Sequence, residues 1–179
     1  SMGSISDSLF NQNDASLGGG LHHVASDYYL SGLTLERTTF WENNGLTGGA
    51  IYNGNAHLMM TNDTLAYNTA DSGGGVYSTG GSVVEILNST LAHNSAGQSD
   101  QLLNNQGEIY TSNSIYAYGG NGYNCLGTIT DSGNNIDDGN TCGFSAAGSL
   151  SNTDPILGPL QDNGGPGTPG YGTRTFALH

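Results

Sequence analysis

The residues in this chain that could do chemistry are carboxylates, histidines and a set of aromatic side chains. Hydrolysis of a glycosidic bond needs two carboxyl groups a few ångströms apart, one acting as acid and the other as base or nucleophile. Glu36 with Asp63, or Glu42 with an acid from a neighbouring segment, are conceivable pairs of this kind. Neither pair belongs to a recurring acidic cluster, so the sequence favours a non-catalytic protein and leaves enzymatic activity open.

The cations are too few for several other functions. The chain of 179 residues has a formal net charge of −13, and Arg37 and Arg174 are its only basic residues apart from histidine. A lyase acting on uronates needs a cationic base or calcium beside the substrate carboxylate, and these two arginines lie in different segments. Binding to nucleic acid or to an anionic membrane needs a basic surface, so neither is expected as a partner. No stretch is long and apolar enough to predict membrane insertion.

A metal site would need several ligands to converge. The histidines inside the chain align with different faces of the fold predicted below, and they are His22, His23, His57 and His93. The segment Asp137-Asp138-Gly139-Asn140 could bind calcium through carboxylate and carbonyl oxygens, or it could form an ordinary polar turn. We therefore predict no cofactor, and we leave calcium at Asp137 and Asp138 open.

Cys125 and Cys142 are the only cysteines. In a secreted chain an even pair of cysteines indicates a disulfide. A reactive or metal-binding thiol pair is the alternative, although two cysteines without nearby histidines make a poor zinc site.

The elements that position these residues are indicated by a repeat. The pattern Phe40-x-x-Asn43 leads to Gly48-Gly49-Ala50-Ile51, and matching copies begin at Phe10 and Leu65. A further copy beginning at Leu91 lacks the glycines. The spacing is about 25 residues, except for a longer first interval that places an insertion around residues 25–29.

Short alternating apolar runs bounded by turn residues predict strands rather than helices. One repeat then holds three short strands, and stacking the repeats gives an all-β, right-handed parallel β-helix of about five coils with roughly 25 residues per coil. Asn13, Asn43, Asn68 and Asn94 form a predicted asparagine row at a turn. The recurring apolar columns are Phe40, Leu65, Leu91 and Ile115; Ile51, Val76 and Leu102; and Leu35, Met60, Ile86 and Tyr110.

Aromatic residues that face outward could stack on sugars or on a protein partner, and plain packing is the alternative for each. His93 aligns with Tyr67 and Glu42, and His22 aligns with Tyr52 and Tyr77. Tyr116 is expected among the exposed aromatics, and an outward threonine row offers ice binding as a weaker alternative. The candidate binding residues are Trp41, Glu42, Tyr67, His93, Tyr52 and Tyr77.

The two repeated motifs resemble those of the chlamydial polymorphic membrane proteins, which are autotransporter adhesins. Phe10-x-x-Asn13 and Phe40-x-x-Asn43 match the first motif, and Gly74-Gly75-Val76 matches the second. The end of the chain resembles bacterial β-helix proteins of the choice-of-anchor type, through Asn124-Cys125-Leu126-Gly127 and the run from Asp154 to Gly165. The resemblances imply a β-helix at a cell surface and imply little about activity.

From these observations we expect residues 1–3 to be an expression scar, residues 4–150 to form the β-helix, and residues 151–179 to form a linker-like extension on or beyond the last coils. The expected function is that of an adhesin-like fragment of a secreted or bacterial cell-surface protein, with signal and anchor outside it. Its partners would be host, matrix or glycan ligands, and its coil ends could self-associate. The alternative is a domain that binds or degrades polysaccharides.

Overall fold

The computed structural model describes residues 2–26, 32–164 and 172–178. Within these ranges the chain is all-β and contains no helix, as the sequence predicted. Residues 27–29 of the predicted insertion and residues 165–170 of the linker-like segment lie outside the described residues. Met2 and Gly3, which we assigned to the scar, lie in the first strand.

Four parallel sheets form the body of the molecule, and the chain visits them in a fixed order. Strands are numbered along the chain. Sheet 1 has six strands, β1 (Met2–Ser6), β5 (Gly32–Glu36), β9 (His57–Thr61), β13 (Val83–Leu87), β17 (Glu108–Ser112) and β20 (Ile129–Asp131). Sheet 2 has seven strands, β2 (Leu9–Asn11), β6 (Thr39–Trp41), β10 (Thr64–Ala66), β14 (Thr90–Ala92), β18 (Ile115–Ala117), β21 (Ile136–Asp137) and β22 (Leu150–Ser151).

The other two parallel sheets complete each repeat, which therefore has four strands. The prediction of three strands per repeat was wrong, because the strands of sheet 3 are mainly polar and lack the apolar alternation that indicates a strand. Sheet 3 has four strands, β3 (Asp14–Leu17), β7 (Asn44–Thr47), β11 (Thr69–Ser72) and β15 (Ser95–Gln98). Sheet 4 has five strands, β4 (Leu21–Val24), β8 (Ile51–Gly54), β12 (Val76–Thr79), β16 (Leu102–Asn105) and β19 (Cys125–Leu126). Each strand pairs in parallel with its equivalent from the next repeat, which is consistent with the predicted solenoid.

A separate antiparallel hairpin follows the parallel sheets. It consists of β23 (Leu157–Gln161) and β24 (Thr175–Leu178), and Leu160 pairs with Phe176. Its connection includes residues outside the described ranges.

The core consists of rows of apolar side chains, where a row is the set of aligned residues from successive repeats. In sheet 2 the rings of Phe10 and Phe40 stack with their centroids 4.6 Å apart, and Leu65 and Leu91 continue the row. In sheet 4 the predicted row is confirmed, and its fully buried members are Ile51, Val76 and Leu102.

Two predicted columns were wrong at their last member. Tyr116, not Ile115, continues the row of sheet 2, and Thr111, not Tyr110, continues the row of sheet 1. The reason is a buried hydrogen bond between the Thr111 and Tyr116 hydroxyl groups, whose oxygens lie 2.5 Å apart. Each hydroxyl thus has a hydrogen-bond partner inside the core. Tyr116 is therefore fully buried rather than exposed, and Tyr110 lies on the outside.

The predicted asparagine row is confirmed as a continuous chain of hydrogen bonds. Asn13 donates to Asn43 Oδ1, Asn43 donates to Asn68 Oδ1, and Asn68 donates to Asn94 Oδ1. Asn94 Nδ2 then donates to Gln101 Oε1, in the repeat that lacks the glycines. The row thus ties neighbouring repeats together through buried amides.

The repeated glycines have two different roles. Gly48 has φ of 71°, a left-handed conformation that glycine adopts without a steric penalty. Gly49 instead allows close approach, because a Cβ there would lie 2.4 Å from the carbonyl oxygen of Gly74 in the next repeat.

Differences in repeat length are concentrated at the corner that joins sheet 4 to sheet 1. On both sides of this corner the strands of the first four repeats stay in continuous register. The corner links run from Val24 to Gly32, from Gly54 to His57, from Thr79 to Val83 and from Asn105 to Glu108. The longest of them contains the predicted insertion.

The two ends of the stack differ. At the C-terminal end Cys125 and Cys142 form the predicted disulfide, with a Cα–Cα distance of 4.7 Å. Phe144 packs against Tyr116 with ring centroids 5.4 Å apart, so this segment covers the last apolar side chains. At the other end β1 to β4 are the terminal strands of their sheets, and Phe10 is only partly buried.

Candidate functional site

The hairpin lies against the outer side of sheet 2, where it makes polar and aromatic contacts. The backbone N–H of Arg174 donates to Thr39 Oγ1 at 2.9 Å, and Thr39 Oγ1 donates to the carbonyl oxygen of Arg174 at 3.0 Å. The Arg174 guanidinium carbon lies 4.3 Å from the centre of the Trp41 ring. In register with Trp41 are small, fully buried side chains that allow close approach, namely Ala66, Ala92 and Ala117.

A row of left-handed residues follows sheet 2 and carries several of the predicted binding residues. Glu42, Tyr67, His93 and Tyr118 all have φ between 53° and 58°. The rings of Tyr67 and His93 stack with centroids 4.8 Å apart and planes 3° apart, and Tyr118 continues the stack at 4.8 Å from His93. Burial lowers the pKa of His93.

The hairpin also covers this aromatic row. Phe176 lies with its ring centroid 5.8 Å from His93 and 6.4 Å from Tyr67. The Tyr118 hydroxyl donates to Asp154 Oδ1 and accepts from the backbone N–H of Leu157. Neighbouring rings thus contact the rings of Tyr67 and His93, and Tyr67 remains 39% exposed.

The structure thus brings together four of the six candidate residues, Trp41, Glu42, Tyr67 and His93. Sequence reasoning missed Tyr118, Arg174 and Phe176. The spacing from His93 to Tyr118 equals the repeat length, so Tyr118 could have been found from the period. Arg174 and Phe176 lie beyond the last repeat, where no period predicts a neighbour.

Tyr52 and Tyr77 lie elsewhere, on sheet 4. Their rings stack with centroids 5.6 Å apart, and His22 packs against Tyr52 at 5.2 Å, as the alignment predicted. The Tyr77 hydroxyl accepts a hydrogen bond from Asn105 Nδ2 at 2.9 Å. These residues form a second aromatic row that is separate from the hairpin.

A cavity of about 190 Å³ lies between the hairpin and the edge of sheet 2. It contains both arginines of the chain, which the sequence analysis had placed in different segments. Its lining residues are Arg37, Thr39, Asn62, Thr64, Thr173, Arg174 and Thr175. Two cationic groups beside several hydroxyl groups give this cavity the chemistry to bind a polar, negatively charged group.

The two arginines differ in their partners. Arg37 donates to both carboxylate oxygens of Asp7, at 2.6 and 3.0 Å, and also to Glu36. The guanidinium lowers the pKa of Asp7 through this hydrogen bonding, and the two carboxylates balance the charge of Arg37. Within the described ranges the Arg174 guanidinium contacts Trp41 and forms no ion pair.

Asp63 lies beside the cavity and belongs to a second hydrogen-bonded row. Its Oδ1 accepts from the backbone N–H of Thr38 at 2.7 Å, and its Oδ2 accepts from that of Thr61 at 3.0 Å. Its own N–H donates to Ser89 Oγ in the next repeat. Burial raises the pKa of Asp63 to about 7, and the charge of Glu36 adds to this increase.

Carboxyl groups of the predicted catalytic pairs therefore form hydrogen bonds within the protein. Asp63 is only 1% exposed, so Glu36 and Asp63 do not present two accessible carboxyl groups. Glu42 Oε2 accepts a hydrogen bond from Gln12 Nε2 at 2.8 Å, across neighbouring repeats. Asp63 thus stabilises the turn between sheets 1 and 2.

The calcium candidates Asp137 and Asp138 lie at the covered end of the stack. Asn124 Nδ2 donates to both carboxylates, at 2.7 and 2.6 Å. Asp137 also accepts from the backbone N–H groups of Gly139 and Cys142, and Asp138 accepts from that of Tyr118. Among the described residues, no group of three or more His, Cys, Asp or Glu side chains is placed to hold a metal ion.

A smaller cavity of about 140 Å³ lies on sheet 1 and is lined by Glu85, Leu87, Tyr110, Thr111, Ser112 and Ser132. Within the ranges given above, no helix is long and apolar enough to cross a membrane.

No family model matches the sequence, and no curated protein or solved structure matches it.

Proposed function

We propose that the chain is a non-catalytic segment of a secreted or bacterial cell-surface protein that displays a repetitive lateral surface to a partner. In this proposal the parallel sheets form a right-handed β-helix of about five coils with roughly 25 residues each. The protein is adhesin-like, in keeping with the resemblance of its motifs to polymorphic membrane proteins and choice-of-anchor proteins. Its partners are host, matrix or glycan ligands.

One observation carries this proposal, namely that polar side chains of successive repeats bond to each other in register on the outside as well as inside. On sheet 3 Asn44 Nδ2 donates to Asp14 Oδ2 at 3.0 Å, and Thr69 Oγ1 donates to Asn44 Oδ1 at 2.8 Å. Such a surface presents polar groups at the spacing of β-strands, roughly 4.8 Å. A repeated surface supports many weak contacts to one extended ligand, which together give avidity.

The second candidate is a domain that binds or degrades polysaccharides. The cavity that contains Arg37 and Arg174 favours it, because threonine hydroxyls and guanidinium groups suit polar saccharides. The engaged state of Asp63 and Glu42 favours binding over hydrolysis.

Binding and turnover measured on the same protein separate these candidates. We expect binding to immobilised glycans or matrix proteins, and no release of reducing ends from a panel of polysaccharides. Release of reducing ends that Glu42→Gln or Asp63→Ser abolishes would overturn the display function. An array and matrix panel without any bound partner would also count against it.

A further inference from the structure

We propose that the cavity between the hairpin and sheet 2 binds the carboxylate of a single acidic sugar unit, and that Arg174 is the residue that recognises it. This inference names a ligand class for the proposed display function, on which it rests for the choice of a glycan. It depends on three features, which are the state of Arg174, the pairing of Arg37, and the hydroxyl groups of the lining.

Arg174 has an unusual position for a cation in so acidic a protein. The formal net charge is −13, yet no carboxylate of the described chain pairs with this guanidinium. Its backbone is fixed to Thr39 by two hydrogen bonds, and its side chain lies on the Trp41 ring. The planar guanidinium is therefore held in place with its N–H donors available, and this geometry matches a carboxylate.

Arg37 has a different role. Asp7 and Glu36 already accept its hydrogen bonds, so it does not attract a further anion strongly. It lines the cavity while its hydrogen bonds engage the carboxylates of Asp7 and Glu36. The assignment of the anion therefore falls on Arg174 alone.

The remaining lining residues indicate a sugar rather than a simple carboxylate. Thr64 is 4% exposed, and among the described residues its hydroxyl has no hydrogen-bond partner. Asn62 adds an amide that can both donate and accept. The cavity volume of about 190 Å³ is below the 300–1,000 Å³ typical of sites for drug-sized ligands. A space of this size with these groups fits one pyranose ring that carries a carboxylate.

The test compares three small probes by isothermal titration calorimetry on the intact chain: methyl glucuronoside, methyl glucoside and succinate. We expect the glucuronoside to bind at least about tenfold more tightly than either of the others, because only it offers both a charge for Arg174 and ring hydroxyls for Thr64. Trp41 is the only tryptophan and contacts the Arg174 guanidinium, so its fluorescence follows binding at Arg174.

Arg174→Gln keeps the backbone bonds to Thr39 and should weaken glucuronoside binding by about tenfold or more, with little effect on the glucoside. Thr64→Val preserves the shape of the side chain and suits a strand, and it should weaken binding several-fold. This second variant keeps the test decisive if Arg174→Gln causes the hairpin to detach. His22→Gln on sheet 4 is the matched control and should leave binding unchanged.

Four results would each overturn this assignment. The glucuronoside could bind no more tightly than the glucoside, or no more tightly than succinate. The Arg174→Gln variant could bind it as well as the parent chain does, or no glucuronoside binding could be found at tens of millimolar. A chain that fails here and still binds neutral glycans or matrix proteins retains its proposed display function. Failure of both sets of measurements rejects both proposals.

Discussion

Asn68 Oδ1 accepts two hydrogen bonds from Asn43, one from its backbone N–H and one from its side-chain amide, at 2.9 Å each. Asn68 Nδ2 in turn donates to the carbonyl oxygen of Phe40 and to Asn94 Oδ1. One side chain thereby serves four polar groups of two neighbouring repeats, all of them away from water. The spacing of the asparagines in the sequence reflects this role in stability.

We expect Asn68→Ala to lower the free energy of unfolding by at least about 3 kcal/mol, because several buried polar groups lose their partners together. Asn13→Ala is the matched control, since Asn13 is exposed and its backbone N–H still satisfies Asn43 Oδ1. Its cost should be about 1 kcal/mol. Urea denaturation followed by circular dichroism measures both, and equal effects would show that the interior position has no special importance.

Gly49→Ala should destabilise the fold by about 3 kcal/mol, because the new Cβ would meet two backbone oxygens, of Gly74 at 2.4 Å and of Thr69 at 2.6 Å. Backbone in a stacked repeat cannot move aside without breaking the sheet hydrogen bonds. Gly3→Ala serves as control, because its Cβ would lie 3.5 Å from a Leu33 methyl group. Thermal unfolding of the two variants should differ clearly, and a tolerated Gly49→Ala would contradict the close approach.

Asp63 should make stability fall as pH rises. The folded state keeps this carboxyl protonated up to a pKa of about 7, whereas the unfolded chain releases the proton near the ordinary aspartate pKa of 3.8. Between these values the folded state binds more protons, so the free energy of unfolding decreases with pH, by up to about 4 kcal/mol in total.

Asp63→Ser should remove that decrease, because serine occupies the equivalent position at Ser89 and fulfils the same role without a charge. Unfolding measured from pH 4 to pH 8 compares the variant with the parent chain. Asp14→Ser, which changes an exposed acid, should leave the profile of the parent intact. A parent profile that is flat or rises across this interval would disprove the raised pKa.

Removing the disulfide should lower stability by about 3 kcal/mol, since Cys125 and Cys142 close a loop of 17 positions. Replacement of both cysteines by alanine avoids burying new hydroxyl groups beside Phe144. Intact mass should increase by two hydrogen atoms on reduction of the parent chain, and an unchanged mass would exclude the bond. Denaturation of the reduced parent is the control, and it should match the double variant.

The period of the sequence was sufficient to predict three of the four parallel sheets, the asparagine row and the row of sheet 4, because each depends on contacts between equivalent positions. It was insufficient at Thr111 and Tyr116, where polar groups turn inward and satisfy each other. A prediction from hydrophobicity alone places these two residues on the outside, which shifts the predicted register of their strands by one residue.

The contacts of Arg174 and Phe176 could not be predicted by the same reasoning. They come from a hairpin that pairs antiparallel and docks on residues more than a hundred positions earlier, such as Thr39. No repeated pattern encodes that docking. The candidate residues Trp41, Tyr67 and His93 were therefore identified without the segment that covers them.

The corner between sheet 4 and sheet 1 has a consequence for altering this protein. The register of the flanking strands stays constant although the links from Val24 to Gly32 and from Gly54 to His57 differ in length. A foreign loop inserted between Gly80 and Gly81 would enter at that tolerant position and leave both hydrogen-bonded rows untouched. The same corner gives protein engineers a place for grafting.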